Sequence, residues 1–209
     1  MSKRRWILWQ GLIAPSMERF VATRTETGFQ LSGLILQAHQ DAPFVVRYSI
    51  DVDEAWRTHA MQVEIENDGQ HRTRLVADGA GHWSRDGKQL PALDDCLDVD
   101  LEWSPSTNTL PIRRLGLALG ETKVVAAAWV RFPSLDVQRL DQSYERIDER
   151  RYRYRSGRFT ADLAIDEGGI VLQYGVNWKA VATSGELGQR RFASSSSCSR
   201  KSPVTRKRE

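Results

Sequence analysis

Cysteine, histidine and long apolar runs are all scarce in this 209-residue chain. It has two cysteines and four histidines, and neither residue type shows the close spacing that holds a structural zinc ion. Cys96 lies at the apolar edge of a predicted strand, whereas Cys198 lies in a serine-rich tail, so we predict no disulfide between them. We therefore expect no metal and no cofactor, and we interpret Cys96 as a small buried apolar residue.

Apolar runs nowhere reach the 18 or so residues that span a bilayer. Near the amino end, the basic residues 3–5 precede the apolar residues 6–9, which superficially resembles a signal peptide. Gln10 interrupts the run and tryptophan is unusual in such a segment, so we interpret residues 6–9 as part of a first strand. The sequence therefore predicts a cytoplasmic protein without a transmembrane segment.

The formal charge of +3 and the isoelectric point of about 9.0 hide an uneven distribution. Residues 190–209 carry a net charge of +6, which leaves −3 on residues 1–189. This basic, serine-rich tail has no periodic apolar residues, so we predict one folded domain over 1–189 and a disordered tail over 190–209. Phe192 is the only aromatic ring in the tail, and no motif that reads bases is present, so we expect no specific nucleic-acid partner.

Alternation of apolar and polar residues recurs along the domain, as is typical of antiparallel strands. Residues 61–66 alternate and lead through Asn67-Asp68-Gly69 into a return strand at 72–76, which predicts a hairpin. Residues 166–169 predict a second hairpin, between strands at 159–165 and 170–174. The fold class predicted is therefore mainly β, in a single antiparallel domain with one short central helix.

The densest pattern lies at residues 96–103, where charged and apolar residues alternate. In a strand, Asp98, Asp100 and Glu102 would share a solvent-exposed face, and the apolar residues between them would be buried. The following residues predict a helix, capped by Asn108 or Thr109, with an apolar stripe at Ile112, Leu115 and Leu119. Pro111 is suited to an early position of this helix.

Arg113 and Arg114 would lie near the start of that helix, where the helix dipole favours anions. Two adjacent guanidinium groups there indicate an anionic partner. The upstream carboxylates are one candidate, in an internal salt bridge. The other is the carboxylate, phosphate or sugar hydroxyls of a ligand, which a planar guanidinium can hold with two hydrogen bonds.

Residues 95–101 together with residues 107–115 resemble the signature of a bacterial family, the Putative glycolipid-binding proteins, once known only as a domain of unknown function. The likeness extends over about 9–178 and departs from the family pattern at Asp95 and Gly175, where glycine and proline are expected. It includes Trp9, Glu18, Gly33, Tyr48, Trp56, Gly81, Trp83, Asp86, Gly87, Leu90, Pro91, Phe132, Pro133, Gln142, Tyr144, Tyr152, Tyr154, Ser156, Asp166, Gly169, Val171 and Tyr174. The resemblance implies an all-β spiral roll, similar to lipoprotein-carrier folds, with a lipid or glycolipid site.

Aromatic residues form a second candidate surface. Strand alternation places Tyr152 and Tyr154 on one face and the arginines at 151, 153 and 155 on the other. The tyrosine rings, with those of Tyr144 and Tyr174, are interpreted either as one half-buried face or as the lining of a ligand cleft. Most of the seven tryptophans are expected in the core or in a cavity wall.

We therefore expect the protein to bind an amphipathic lipid or glycolipid rather than to convert it. Arg113, Arg114 and Asn108 are the expected headgroup ligands. The wider predicted site adds two carboxylates and three aromatic residues, namely Asp98, Asp100, Trp83, Tyr144 and Tyr174.

Two alternatives stay open. One is a hydrolase that acts on a sugar or lipid ester through Asp98 and Asp100, although the nearby arginines would keep these acids ionised and no Gly-x-Ser-x-Gly motif accompanies them. The other is a ligand-free interaction module. The sequence predicts no particular oligomeric state.

Overall fold

The computed structural model describes residues 4–39, 42–67 and 69–185. These residues form β-strands, one α-helix and two short 3-10 helices. The tail predicted to be disordered, 190–209, lies outside the described residues, as does Asp68 of the first predicted hairpin.

The strands in chain order are β1 Arg4–Gly11, β2 Ser16–Arg24, β3 Gly28–His39, β4 Ala42–Asp53, β5 Thr58–Glu66, β6 Gln70–Ala77, β7 Trp83–Arg85, β8 Lys88–Gln89, β9 Asp98–Leu101, β10 Thr122–Val130, β11 Val137–Arg146, β12 Arg151–Ser156, β13 Phe159–Ile165, β14 Val171–Tyr174 and β15 Trp178–Gly185. The helix α1 is Thr109–Leu115, and the 3-10 helices are Pro91–Leu93 and Ser106–Asn108.

All fifteen described strands belong to one sheet, in the order β8-β7-β6-β5-β4-β3-β2-β1-β15-β14-β13-β12-β11-β10-β9. Neighbouring strands are antiparallel, with the exception of β9 and β10, which run parallel with Asp98 opposite Ala127. The prediction of a mainly β single domain with one short helix is therefore confirmed.

The two ends of this strand order come together, as expected for a roll. The backbone N–H of Thr58, at the start of β5, donates to the carbonyl of Leu97 just before β9 (3.1 Å). Next to it, the indole N–H of Trp83 in β7 donates to the carbonyl of Cys96 (2.7 Å). The sheet therefore curls until the segment before its last strand reaches β5 and β7. The segment after β9 contacts both halves of the sheet, through Ser104 and Glu18 on one side and Asn108 and Tyr144 on the other.

Both predicted hairpins are present. Strands β5 and β6 pair antiparallel with Glu66 opposite Gln70. Strands β13 and β14 pair antiparallel with Leu163 opposite Tyr174. Turn chemistry and two-residue alternation locate such hairpins because both act between neighbours in the sequence.

The interior is lined mainly by the inward positions of the strands. Trp9, Phe20, Leu31 and Trp83 are completely buried in the larger cluster. A smaller cluster around Ile112 contains Tyr144, Tyr152, Tyr154 and Leu163. Trp6, with 37% of its surface exposed, is the most exposed tryptophan, so the expectation of a position in the core or in a cavity wall holds for most of the tryptophans.

Candidate functional site

Strand β9 does not have the solvent-exposed face that its alternation predicts. Asp98 is 1% exposed, while Val99 and Leu101 on the other face are also buried. Asp100 and Glu102 are half-buried. The prediction of one wet face was wrong because β9 lies inside the roll, where the chain covers both of its faces.

Helix α1 is shorter than predicted and places its arginines at the opposite end. It has seven residues and ends before Gly116, which adopts a positive φ of 56°. Arg113 and Arg114 lie in its last turn, where the helix dipole favours cations, so the expected electrostatic conflict does not exist. Leu119 lies beyond the helix and is 62% exposed, so it does not extend the apolar stripe as predicted.

Arg114 forms an internal salt bridge with Asp98. Its Nε and Nη2 atoms lie 3.0 Å and 2.5 Å from the two carboxylate oxygens, a planar two-point contact. Burial raises the pKa of Asp98 above its usual range, and the Arg114 guanidinium opposes that rise. Of the alternatives that the sequence left open for Arg114, the internal carboxylate is the partner found.

Arg113 also turns toward the protein. Its guanidinium carbon lies 4.2 Å from the ring centroid of Trp56 and 5.8 Å from that of Phe29. Its Nη1 donates to the carbonyl oxygen of Gly168 in the turn between β13 and β14. Arg113 therefore ties the central helix to both halves of the sheet, through a cation–π contact on one side and a hydrogen bond on the other.

Asp100 anchors the turn that follows β9. Its carboxylate accepts hydrogen bonds from Thr107 Oγ1 (2.8 Å) and Gln142 Nε2 (2.7 Å). Burial raises the pKa of Asp100 to about 6, against the lowering effect of these two donors. Both carboxylate oxygens of Asp100 thus have protein donors, and Asp98 forms a salt bridge with Arg114. The two carboxylates that the hydrolase alternative requires are therefore both engaged in internal contacts.

Asn108 precedes α1 but does not cap it through its side chain. Instead, its Oδ1 accepts a hydrogen bond from the hydroxyl of Tyr144 (2.9 Å). That hydroxyl also lies 3.3 Å from Gln142 Oε1, so it links Asn108 to the residue that holds Asp100. Buried polar groups joined in this way fix one another's orientation.

A buried carboxylate that sequence reasoning gave no role lies next to this network. Glu18 of β2 is completely buried, and its carboxylate contacts the hydroxyls of Tyr48 (2.5 Å) and Ser104 (2.8 Å). Ser106 Oγ lies 2.6 Å from Ser104 Oγ and 2.9 Å from the Tyr48 hydroxyl. Burial raises the pKa of Glu18 to about 7, although the three hydroxyl contacts lower it. The sequence did carry a signal for the burial of Glu18, because strand alternation places it on the same inward face as Phe20, two residues later.

Ser104 opens onto a cleft of about 440 Å³. Six aromatic rings line it, contributed by Trp103, Trp129, Tyr154, Phe159, Tyr174 and Trp178. Polar side chains between the rings come from Asp100, Glu102, Ser104, Asn108, Ser156 and Asn177, with Leu101 and Leu140 completing the wall. A cleft of this size, mostly apolar with a few fixed polar groups, is typical of a small-molecule site.

Trp103 is held at this cleft in an unusual conformation. Its φ is 59°, which is uncommon for a bulky residue. Its ring lies 5.8 Å from that of Phe44, which belongs to β4. Strained residues of this kind cluster at ligand sites, where the surrounding structure maintains them.

The structure divides the predicted site residues into three groups. Asp100, Asn108 and Tyr174 line the cleft, and Tyr144 supports it from behind through Asn108. Asp98, Arg113 and Arg114 do not line it, since their contacts are internal. Trp83 is completely buried against Cys96, in the part of the roll near β7, and is not brought to the cleft.

Within the described ranges, no group of three or more histidine, cysteine, aspartate or glutamate side chains could hold a metal ion. In the same part of the chain, none of the helices has the length and apolar character needed to cross a membrane.

Comparisons with known proteins agree with this architecture. The chain matches the family described as Putative glycolipid-binding over residues 6–180, which includes every residue of the cleft. It is similar to the crystal structure of a DUF1089 family protein from Pseudomonas aeruginosa, with 36% sequence identity and a TM-score of 0.71. The similarity covers 76% of this chain and 88% of that chain. The comparison with curated proteins gives no match.

Proposed function

The chain belongs to the Putative glycolipid-binding family, and from that premise we propose that it binds a lipid or glycolipid in the aromatic cleft without converting it. The resemblance that the sequence indicated is confirmed by the family match and by the related crystal structure. The observation that carries the proposal is the set of six aromatic rings around one partly polar cleft.

Aromatic rings suit the apolar faces of an amphipathic ligand. Phe159 and Tyr174 stack with an interplanar angle of 19° at the edge of the cleft, and Phe159 is 42% exposed. Flat, rigid rings bury a large apolar area with little loss of side-chain freedom. A sugar ring or the start of an acyl chain would therefore lie against these rings.

Polar groups of the cleft suit the hydroxyls of a headgroup. Glu102 offers a carboxylate oxygen, and Asn108 and Asn177 offer amide groups. Glu102 is fixed in place because its Oε2 accepts the backbone N–H of Phe132 (2.7 Å). Such groups, already oriented by the protein, give selectivity for hydroxyl-bearing ligands, and here they take over the role that the sequence assigned to Arg113 and Arg114.

Exposed aliphatic residues belong to two loops next to the cleft, where we propose that a lipid chain would emerge. Leu12 and Ile13 are 50% and 73% exposed, and Val176 is 73% exposed. The backbone N–H of Leu12 donates to the carbonyl of Asn177 (2.8 Å), a residue of the cleft wall, so the two loops are neighbours. These loops would thus contact the apolar part of a ligand whose headgroup occupies the cleft.

Two measurements test this function. The first is native mass spectrometry of the purified protein followed by solvent extraction, which should reveal a co-purified lipid or glycolipid. The second is tryptophan fluorescence during titration with octyl β-D-glucoside below its critical micelle concentration, because three of the six rings are tryptophans. We expect saturable quenching that weakens about ten-fold in Trp129→Ala, since the variant removes one wall of the cleft.

Val124→Ala is the matched control, because Val124 lies on the same strand, is 73% exposed and does not line the cleft. Its titration should equal that of the wild type. The proposal would be contradicted if the purified protein carries no lipid and octyl glucoside changes the fluorescence of the wild type, Trp129→Ala and Val124→Ala equally. That result would favour the ligand-free interaction module.

A further inference from the structure

A second groove, of about 650 Å³, lies where the turn after β10 meets β6 and β7. It shares none of its lining residues with the aromatic cleft. Its walls are polar and come from Gln70 to Arg74 of β6, Arg85 of β7 and Ser134 to Asp136 of the turn, among others. This groove has no role in the function proposed above.

Two buried polar atoms in this groove have no hydrogen-bond partner within the part of the chain that the structure describes. They are Thr73 Oγ1 and Arg85 Nε. Thr73 is only 8% exposed, so its hydroxyl is removed from bulk water. Buried groups of this kind are nearly always satisfied in folded proteins, by another residue, a water molecule or a ligand.

The sheet register places these two residues together. Val76 lies opposite Ser84 in the antiparallel pair of β6 and β7, so Arg85 comes next to Leu75, on the inward face. Thr73 is the next inward residue of β6, which makes it a diagonal neighbour of Arg85. Both residues can donate hydrogen bonds, one from a hydroxyl and one from a guanidinium N–H.

The charge around these donors favours an anion. Arg72 and Arg74 precede and follow Thr73, so strand alternation points them to the other face of β6, and both are exposed where they line the groove. Glu64 lies opposite Arg72 in the β5–β6 pair. Among the described residues, no carboxylate oxygen lies within 4.0 Å of the guanidinium nitrogens of Arg72, Arg74 or Arg85. Asp86 and Asp136 also line the groove, but the three guanidinium groups outnumber these two carboxylates.

We propose that this groove is a binding site for a phosphate group, in which Arg85 and Thr73 donate hydrogen bonds to the phosphate oxygens while Arg72 and Arg74 supply positive charge at the rim. Phosphate suits the site because its several oxygens accept from a guanidinium fork and a hydroxyl at once. The phosphate belongs either to a soluble ester or to a lipid headgroup, which share this chemistry.

Calorimetric titration of the full chain with inorganic phosphate and with glycerol 3-phosphate tests the soluble case. Co-sedimentation with phosphatidylglycerol vesicles tests the lipid-borne case. Thr73→Val removes only the hydroxyl, and Arg85→Lys keeps the charge but removes the guanidinium fork. We expect each variant to weaken binding of the phosphate source about ten-fold, the usual effect of losing one hydrogen bond to a charged group.

Arg47→Leu is the control, because it removes an exposed arginine outside the groove, and the basic residues at 190–209 are the same in every variant. Its phosphate affinity should equal that of the wild type. Thermal unfolding without phosphate provides an independent readout, because loss of an unpaired buried hydroxyl should leave Thr73→Val at least as stable as the wild type.

The site would be supported if the soluble phosphates or the vesicles bind and only Thr73→Val and Arg85→Lys weaken that binding. Which of the two probes binds would identify the phosphate source. Equal affinities in all four proteins, or no saturable binding to any probe, would overturn it. A Thr73→Val variant that is less stable than the wild type and binds phosphate equally well would show that water occupies the groove, and would overturn the proposal too.

Discussion

The hydroxyl of Tyr48 lies 2.5 Å from the carboxylate of Glu18, and the Tyr48 ring lies over the bare backbone of Gly33. Three neighbouring strands contribute to this arrangement, since β2 carries Glu18, β3 carries Gly33 and β4 carries Tyr48. Ser104 and Ser106 complete it from the central segment. The roll is thus joined to its interior segment through a buried acid and three hydroxyls, one of which opens onto the aromatic cleft.

Stability should depend on pH through Glu18. Burial raises its pKa from the ordinary value of 4.5 to about 7, so between these pH values the folded chain holds a proton that the unfolded chain has released. The free energy of unfolding should therefore fall as the pH rises from about 4.5 to about 7, by roughly 3 kcal/mol from this group. Urea unfolding across this range should show a shallower fall in Glu18→Gln than in the wild type, because glutamine does not titrate.

Glu26→Gln is the control for this experiment, because Glu26 is exposed. Its pH dependence should follow that of the wild type. Asp100, whose pKa is raised to about 6 by burial, acts in the same direction and remains in both variants, so some fall should persist in Glu18→Gln. Parallel curves for Glu18→Gln and the wild type would contradict the role given to Glu18.

Gly33→Ala should displace Tyr48. Gly33 lies opposite Tyr48 in the β3–β4 pair, and an added Cβ would overlap the tyrosine ring. Overpacking of this kind costs roughly 1–3 kcal/mol, which urea unfolding can measure. Ser32→Ala, one residue earlier and on the opposite face of the strand, should have a much smaller effect. Equal stability of the two variants would mean that the ring has room to move.

Local patterns in the sequence predicted the sheet because strand alternation and turn residues act between near neighbours. The β5–β6 hairpin and the inward tyrosines of β12 follow directly from them. The prediction of an exposed face on β9 was wrong because such local patterns carry no information about what covers a face. Alternation identifies two faces, but only the curled sheet determines that Arg114 and the neighbouring segments cover the charged face as well.

Some of the residues that the sequence singled out line the aromatic cleft. Asp100, Asn108 and Tyr174 were named as ligand residues and lie in its wall, whereas Trp103, Trp129 and Trp178 were assigned only to a core or cavity wall. These three tryptophans come from separate parts of the chain, which meet only because β9 pairs with β10 and the chain returns through β15. Contacts between residues so far apart leave no periodic signal.

The Cys96 thiol should be unreactive in the folded protein. It is completely buried, and this burial raises its pKa to about 11. Very little thiolate therefore exists at pH 8, and reagents cannot reach it. In a Cys198→Ser variant, which leaves Cys96 as the only cysteine, Ellman's reagent should detect no thiol under native conditions and one thiol in urea. Rapid reaction of the folded variant would show that this part of the roll opens readily.

Loss of Arg114, the partner of Asp98, should destabilise the fold because it leaves the Asp98 carboxylate buried and unpaired. Asp98 and Arg114 have 1% and 13% of their side-chain surface exposed. We expect Arg114→Met to lower the free energy of unfolding at pH 7 by roughly 3–5 kcal/mol. The deficit should shrink at pH 4, where Asp98 can be neutralised by a proton.

The double variant Asp98→Leu/Arg114→Met separates the cost of an unpaired charge from the contribution of the pair. An apolar pair of similar size avoids the desolvation of two charges, so the double variant should recover most of the stability that Arg114→Met loses. Arg153→Met is the control, because it breaks a similar contact to Asp162 whose side chains are 37% and 51% exposed, and it should change stability little. If the double variant is as unstable as Arg114→Met, the arginine acts through its packing and not through the charge of Asp98.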